Sequence, residues 1–488
     1  MRQTHSTQLC FDQVRIEDIQ LDLYSRDTMP KILAALQKIY TTPSVFQKIM
    51  DLMKQFIDPD ADPDQGRPGM TYWEILVLGV VRLSNNYTYD QLLEQANQHI
   101  TLRQMLGKGG FLFQDIFYPY QTVYDNLRKF TPELLEKINE IVVKFAHSTL
   151  KIDHKPLITH TDSFVVKTNV HFPTDINLLL DAMRVSIRKS NRIAKALKIA
   201  GWQQWRCLFQ RCRNLYFCVQ NAKRSTSKDL EKQEARRLVI IEKYQAYINY
   251  CRQILAKVSS LLEKLSNTEI EKGTLSKFYQ YGIKLIDQIE RRAIKGEVIP
   301  HEEKIFSLFQ EHTEWVVKGK AGVPVELGLR VGIVADQHGF ILHHQVMVKQ
   351  TDDKVAVNLI KDSKSKFANI QVASFDKGFS SKQNNQELNQ IIDFVVMPKK
   401  GKLSKEDKAR ESQPEFIEIR HHHSAIESNI NALEHCGLDR CRDHGLDGFK
   451  TYVALGVLAY NFKKLGGLLL KGKLEEEQQL RKTQKLAA

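Results

Sequence analysis

The chain has 488 residues, of which 42% are hydrophobic and 26% are charged, and its formal net charge is +14. This is the composition of a globular protein long enough for two or three domains. The positive excess indicates a polyanionic partner, most commonly nucleic acid. Seven cysteines without regular spacing argue against a disulfide scaffold and favour a reducing compartment.

The sequence predicts a soluble, cytoplasmic protein with no membrane partner. The first ten residues, MRQTHSTQLC, lack the apolar run of a signal peptide. The longest apolar run, 452–470, is interrupted by Asn461, Lys463 and Lys464 and is too short to span a bilayer.

The first third of the chain has helical patterning. Residues 1–57 form an N-terminal helical segment, and 58–70, rich in Asp, Pro and Gly, are predicted to be a linker. Residues 71–150 are helical again and are the predicted DNA-binding region. Two helices around a short turn at Asn85 and Asn86 fit either a helix-turn-helix reader or an ordinary helical hairpin.

After residue 150 the hydrophobic period changes. Residues 151–175 contain β-branched, partly alternating sequence, which predicts one or two strands with Asp162 near the middle. A basic helical block, 176–322, interrupts the strands and is predicted to be an insertion. Residues 323–470 continue the α/β domain, and the polar tail, 471–488, is either helical or disordered.

Within 323–470 the strands return in a recognisable order. VELGLRVGIVADQHGFILHHQVMV predicts a hairpin around its DQHG turn, and IQVASFD predicts a strand that ends at Asp376. A helix at 380–390, another strand in IIDFVVMP and a basic loop precede the helix that carries Glu427. The expected fold is a mixed α/β sheet with one large helical insertion.

The helix containing Glu427 has a conventional explanation for its acid. Ser424 is placed as an N-cap with Glu427 in capping-box register, and Gly437 is placed as the glycine that ends the helix. Asp376 precedes Gly378 and has the equally ordinary role of turn former or cap. Asp162 is harder to explain, because an acid within an apolar strand costs several kcal/mol unless it is paired or bound to metal.

Asp162, Asp376 and Glu427 are therefore considered together. Carboxyl ends of neighbouring strands form sites in open α/β sheets, and converging acids need cations to relieve their repulsion. Carboxylate oxygens suit Mg²⁺ or Mn²⁺. Two ions per site would support an in-line phosphoryl transfer. Zinc is not favoured, because Cys207, Cys212 and Cys218 lack the short CxxC spacing.

Three stretches of the chain resemble the DDE transposases of bacterial insertion sequences, most closely the group called ISNCY. They are TDSFVVKTNVHFPTD, VASFDKGFSSKQN and HSAIESNINALEHCGLDRCRDHGLDGFKTYVALGVLAYN. The N-terminal part, from QVRIEDIQLD to GRPGMTYWEILVLGVVRL, also resembles that group. The resemblance implies an RNase H-like catalytic domain in which Asp162, Asp376 and Glu427 are catalytic and hold the metal ions.

The resemblance also implies an activity and partners. The activity is cleavage of DNA at transposon ends and joining of the freed 3′-hydroxyl to target DNA. The protein would act as a homodimer or higher oligomer on DNA, in the cytoplasm at the bacterial nucleoid. One departure is clear. Some relatives have arginine four residues before the glutamate and lysine seven after it, whereas this chain has His423 and Glu434.

A run of about a dozen basic residues without an acid lies between Met183 and Lys228. Helical spacing makes one face of it positive, which predicts phosphate contacts, although a merely solvated face is the alternative. The aromatic residues interleaved with it are expected to be core. The predicted nucleic-acid-binding residues are Arg184, Arg188, Lys189, Arg192, Lys195, Lys198, Lys399, Lys400 and Lys402.

Two other functions stay open on the sequence. An RNase H-like nuclease that only hydrolyses nucleic acid needs the same acids, but not the N-terminal helices or the insertion. A domesticated DNA-binding protein without catalysis needs none of the three acids, and all three are present.

Overall fold

The computed structural model describes residues 2–5, 13–57, 69–109, 117–224, 229–265, 270–317 and 324–487. The predicted linker, 58–70, lies almost entirely outside the described residues. The chain divides into two compact units, one made of 1–169 with 316–488 and the other of 170–315. The N-terminal helices thus belong to the same unit as the sheet.

In the described residues, seven α-helices precede the sheet, and the starts of several follow from capping residues. Thr71 with Glu74 and Thr88 with Gln91 form complete capping boxes, while Thr131 caps the helix that begins at Pro132. The helices are α1 Met29–Tyr40, α2 Pro43–Ile57, α3 Tyr72–Ser84, α4 Tyr89–Gln98, α5 Ile100–Met105, α6 Tyr120–Leu127 and α7 Pro132–Thr149. Every residue of α3 is buried, as its apolar sequence requires. The helix-turn-helix interpretation stays a prediction.

The second unit is helical and has its own hydrophobic core. Its helices are α8 Asp175–Ala196, α9 Trp205–Lys223, α10 Leu230–Leu262 and α11 Ile270–Ile289. Trp202 is buried, Trp205, Phe209 and Tyr216 pack against the core, and Phe217 is 42% exposed. Four of the five interleaved aromatics are therefore core residues, as expected.

The sheet is mixed and seven-stranded. Its strands are β1 Leu157–Thr168, β2 Glu314–Val317, β3 Val325–Asp336, β4 Ile341–Met347, β5 Ile370–Phe375, β6 Phe394–Val396 and β7 Arg440–Cys441. β3 pairs antiparallel with both β1 and β4, and the predicted hairpin at DQHG is β3–β4. β5 pairs parallel with β1, and β6 with β5. This mixed α/β arrangement confirms the predicted class and is compatible with an RNase H-like fold.

Six further helices complete this unit. They are α12 Asp352–Lys366, α13 Lys382–Leu388, α14 Lys405–Glu411, α15 Pro414–His422, α16 Ala425–Leu433 and α17 Gly445–Ala487. The sequence analysis did not predict α12, and it treated the segment holding α14 and α15 as a loop. The two are short, and charged residues outnumber apolar ones in their sequences, so apolar periodicity did not reveal them.

Helix α17 is the centre of the helical part of this unit. It is long and apolar enough to cross a membrane by composition, but most of its apolar stretch is buried against other helices of the chain, as in a core helix. Asn461, which interrupts the apolar run, is fully buried. Its amide donates to the Ile341 carbonyl at 2.9 Å and to Asn139 Oδ1 at 2.7 Å, while its Oδ1 accepts from the Ile341 amide. The polar residue thereby joins α17 to α7 and to the start of β4.

A second buried link joins α7 to the end of β3. His147 Nε2 lies 2.7 Å from Asp336 Oδ2, and both side chains are almost fully buried. The other oxygen of Asp336 accepts the amides of His338 and Phe340, which closes the hairpin turn. These contacts fix the N-terminal helices to the sheet that carries the predicted acids.

Candidate active site

Strand register places two of the predicted acids side by side. In the parallel pair β1–β5, Thr161 lies opposite Phe375. The next residues along the two strands are Asp162 and Asp376. Neighbouring strands are about 4.8 Å apart. The two acids therefore come from adjacent strands at the same level of the sheet.

Helix α16 carries Glu427 to the same region. It packs against β1, and Ile426 and Leu433 are its buried anchors. At its far end Gly437 adopts a φ of +87°, a left-handed conformation suited to glycine, as the sequence predicted. Glu427 is exposed and lies about 100° round the helix from Ile426.

The capping role considered for Glu427 is wrong, whereas Asp376 does start a turn, in which its carbonyl accepts the Phe379 amide at 3.2 Å. Ser424 makes no side-chain cap, because its hydroxyl donates to the His421 carbonyl at 2.9 Å, and the predicted capping box is absent. The reason is that α15 runs almost directly into α16, so Ser424 already has helical geometry. Asp376 likewise forms no side-chain cap. Within the described residues, no hydrogen bond or ion pair engages either carboxylate.

Electrostatics shows that the acids act on one another. Burial, together with the negative charges of Asp376, Asp352 and Glu427, raises the pKa of Asp162 to about 6, against the opposing effect of a hydrogen bond from the Ser163 amide at 2.7 Å. Asp376 and Glu427 also act on His423, whose pKa is lowered by burial and raised by those two charges. The three predicted acids therefore share one electrostatic environment.

Asp352 is an acid that the sequence analysis missed. It lies in the first turn of α12, and its Oδ1 accepts a hydrogen bond of 2.7 Å from the Ser163 hydroxyl. Gly378, two residues after Asp376, lies against the same carboxylate. The signal was present as a Thr-Asp-Asp sequence after the hairpin, typical of a helix start.

A buried network of hydrogen-bonded polar side chains lies on β1 and β5, next to Asp162 and Asp376. Ser374 Oγ is 2.7 Å from His160 Nδ1 and 2.8 Å from His423 Nδ1, and it also bonds to the Thr159 carbonyl. Burial lowers the pKa of His160 to about 4, so the ring is neutral at physiological pH. Nε2 of His423 is buried and has no hydrogen-bond partner in the part of the chain that the structure describes. The network joins β1 and β5 to the residue that precedes α16, and so fixes the strands relative to the helix.

The donor set fits a hard divalent cation. The negative charges of Asp376 and Glu427 act on Asp162, no lysine or arginine is bonded to these three acids in the described ranges, and a cation would relieve their repulsion. The side chains are not preassembled, because among the described residues no three His, Cys, Asp or Glu side chains already form a group able to hold an ion. The carboxylates would have to turn towards a bound ion.

The basic residues that are predicted to contact DNA differ in their pairing. Arg184 pairs with Asp181, and Lys189 and Arg192 pair with Glu271. Arg188, Lys195 and Lys198 are exposed, and Lys198 lies beyond the end of α8. Lys399 pairs with Asp407, whereas Lys400 and Lys402 lie in the turn before α14.

The raised pKa of Asp162 predicts a specific effect of Asp162→Asn on stability. The folded protein holds the proton more tightly than the unfolded chain, so the wild type loses stability as the pH rises from about 4 to about 6, and the loss stays constant above that. Asparagine cannot ionise and keeps the acceptor for the Ser163 amide. With a metal chelator present, we expect the free energy of unfolding of the variant at pH 7.5 to exceed that of the wild type by up to ~3 kcal/mol.

Thermal midpoints of both proteins at pH 4 and pH 7.5 in EDTA would measure this effect. The difference between variant and wild type should be small at pH 4 and should favour the variant at pH 7.5. An equal difference at both pH values would show that Asp162 is not destabilised by ionisation.

Comparison with known proteins agrees with the resemblance of the motifs. Residues 297–462 match a family model described as Transposase DDE domain, and this range includes Asp376 and Glu427. None of the curated proteins and none of the solved structures matches the chain. Residues 297–462 are therefore similar to a transposase DDE domain.

Proposed function

We propose that the protein cuts DNA at the ends of an insertion sequence and joins the freed 3′-hydroxyl to target DNA, with Asp162, Asp376 and Glu427 as catalytic residues. The observation that carries this proposal is the strand register that sets Asp162 beside Asp376. The matched transposase DDE domain supports it independently. The order of antiparallel β4, β3 and β1 followed by parallel β5 and β6 supports an RNase H-like catalytic domain.

In this proposal the acids hold two Mg²⁺ ions, for which Mn²⁺ can substitute. When bound, the two ions would activate the attacking water or hydroxyl and offset charge on the departing 3′ oxygen. Asp162 and Asp376 would be the central ligands, and Glu427 the third. Asp352, bonded to Ser163, would hold the strand segment next to Asp162 in place.

The partly buried Asp162 and the exposed Asp376 and Glu427 suit a substrate as large as DNA. The phosphodiester would approach from the solvent-exposed side, where Asp376 and Glu427 lie. The His160–Ser374–His423 network is buried and would not contact it. Because burial lowers the pKa of His423, this position supplies a neutral imidazole rather than the fixed positive charge of an arginine.

A strand-transfer assay tests the proposal and separates it from simple hydrolysis. The full-length protein would be incubated with Mg²⁺, a supercoiled plasmid and a duplex ending in the inverted repeats that flank the gene. We expect covalent joining of the duplex to the plasmid, because the 3′-hydroxyl is the nucleophile. A duplex with a dideoxy 3′ end is the matched control and should give no joined product.

Each alternative predicts a different outcome of this assay. A nuclease would release nicked or shortened DNA without joining. A domesticated binding protein would retain DNA without altering it. Joining that depends on the 3′-hydroxyl is expected from a transposase alone among the three.

The assembly and location of the protein are part of the same proposal. Joining two transposon ends requires that both be held at once, which a homodimer or higher oligomer on DNA would provide. The substrate also implies a cytoplasmic protein at the nucleoid.

A further inference from the structure

The second unit exposes a basic stripe on α9 that the sequence analysis did not single out. The stripe consists of Arg206, Gln210, Arg213 and Phe217, which recur at helical spacing and are all exposed. The opposite side of α9 holds Cys212 and Val219, which are fully buried in the core of this unit. The stripe is therefore the solvent-exposed face of a helix whose other face packs against the core of the second unit.

The charges of this stripe are not offset by acids. Among the described residues, neither Arg206 nor Arg213 forms an ion pair, and the sequence between Asp181 and Asp229 contains no Asp or Glu. On α8, in contrast, three of the five basic residues predicted to bind DNA are paired with Asp181 or Glu271. An unpaired arginine keeps its donors for an external anion, whereas a paired one must first release its acid.

Both arginines are also held in position by aromatic rings. The Arg206 guanidinium lies 5.5 Å from the Trp205 ring centroid, and that of Arg213 lies 5.4 Å from the Phe217 ring centroid. Stacking on a ring orients the planar guanidinium while its N–H groups stay in water. Arg206 and Arg213 are two helical turns apart, or ~10 Å. That distance corresponds to about three base steps of rise along the DNA helix axis.

We propose that the α9 stripe is a contact surface for the phosphate backbone of DNA. The proposal takes DNA as the polyanion from the proposed function. It adds which helix of the second unit binds and through which side chains. The contact is to phosphates, so it should not depend on DNA sequence.

Binding of an unrelated duplex to full-length protein, measured by fluorescence anisotropy between 50 and ~300 mM salt, tests this proposal. The charge-reversal variant is Arg206→Glu with Arg213→Glu. Loss of two phosphate contacts should lower affinity at least about tenfold at ~0.1 M salt and reduce the slope of log K against log salt by about 2. Arg206→Gln with Arg213→Gln should give a smaller loss with the same reduced slope, and circular dichroism should show both variants folded.

The matched control is Lys264→Glu with Lys284→Glu, which changes the net charge equally within the same unit. Both lysines are exposed and neither belongs to α9, so the slope should stay that of the wild type. An unchanged slope in both arginine variants, or an equal loss in the lysine control, would overturn the proposal. If the wild type bound no DNA, the proposed function itself would fail, whereas wild-type binding with unaffected arginine variants would reject only the α9 contact.

Discussion

Asp162→Asn is expected to reduce DNA cleavage and joining by at least about a thousandfold while leaving the protein folded. A carboxylate that binds a catalytic ion contributes several kcal/mol to the transition state, and each 1.36 kcal/mol is a factor of ten in rate. Asparagine keeps the size of the side chain and the acceptor for the Ser163 amide, so the substitution removes only the negative charge. We expect a comparable loss for Asp376→Asn, because strand register makes the two acids equivalent neighbours.

Asp393→Asn is the matched control for both variants. Asp393 is exposed and lies immediately before β6, whereas Asp376 follows the end of β5. Because β5 and β6 are parallel, Asp393 and Asp376 lie at opposite ends of these two strands. The Asp393→Asn variant should cleave DNA at the rate of the wild type. If Asp162→Asn retained cleavage within a few-fold of wild type, the assignment of the catalytic acids would be wrong.

Gly466→Ala is expected to destabilise the protein by about 2–4 kcal/mol, because α1 and α17 meet backbone to backbone at this glycine. A Cβ at position 466 would overlap the carbonyl group of Lys31 and contact the amide of Ala35. Backbone atoms of a helix cannot move away as a flexible side chain can. The two helices would have to separate, and the buried side chains between them would lose contact.

The neighbouring glycine provides a control at the adjacent position of the same helix. A Cβ at Gly467 would meet nothing within 4 Å. Gly467→Ala should therefore be neutral or stabilising by up to about 1 kcal/mol, from the higher helix propensity of alanine. Urea unfolding of the two variants measures the contrast. Equal stability of the two would show that α1 and α17 do not approach each other as closely as described.

The strands and their acids were predictable because their signals are local. Alternating β-branched residues, the DQHG turn and apolar helical spacing predict β1, β3, β4, β5, β6 and α16 from short windows of sequence. The mixed α/β class follows from the order of these elements. The proximity of Asp162 and Asp376 depends instead on a parallel pairing across more than two hundred residues, which no local pattern specifies.

Other features escaped the sequence analysis for the same reason. Asp352 joins the site through a hydrogen bond from Ser163, 189 residues earlier in the chain. The capping box at Ser424 fits the sequence pattern but fails in the structure, because α15 continues almost to that residue. The pairing of Lys189 and Arg192 with Glu271 required the fold of the second unit, since the acid lies on another helix.

The central claim is that Asp162, Asp376 and Glu427 hold divalent ions at one place on the sheet. Crystals of the protein with Mn²⁺ and a DNA end, measured at the manganese absorption edge, test it most directly. We expect anomalous density bounded by these three carboxylates, and its loss in Asp376→Asn. Ordered DNA with manganese density elsewhere, or with none between the three acids, would contradict the claim.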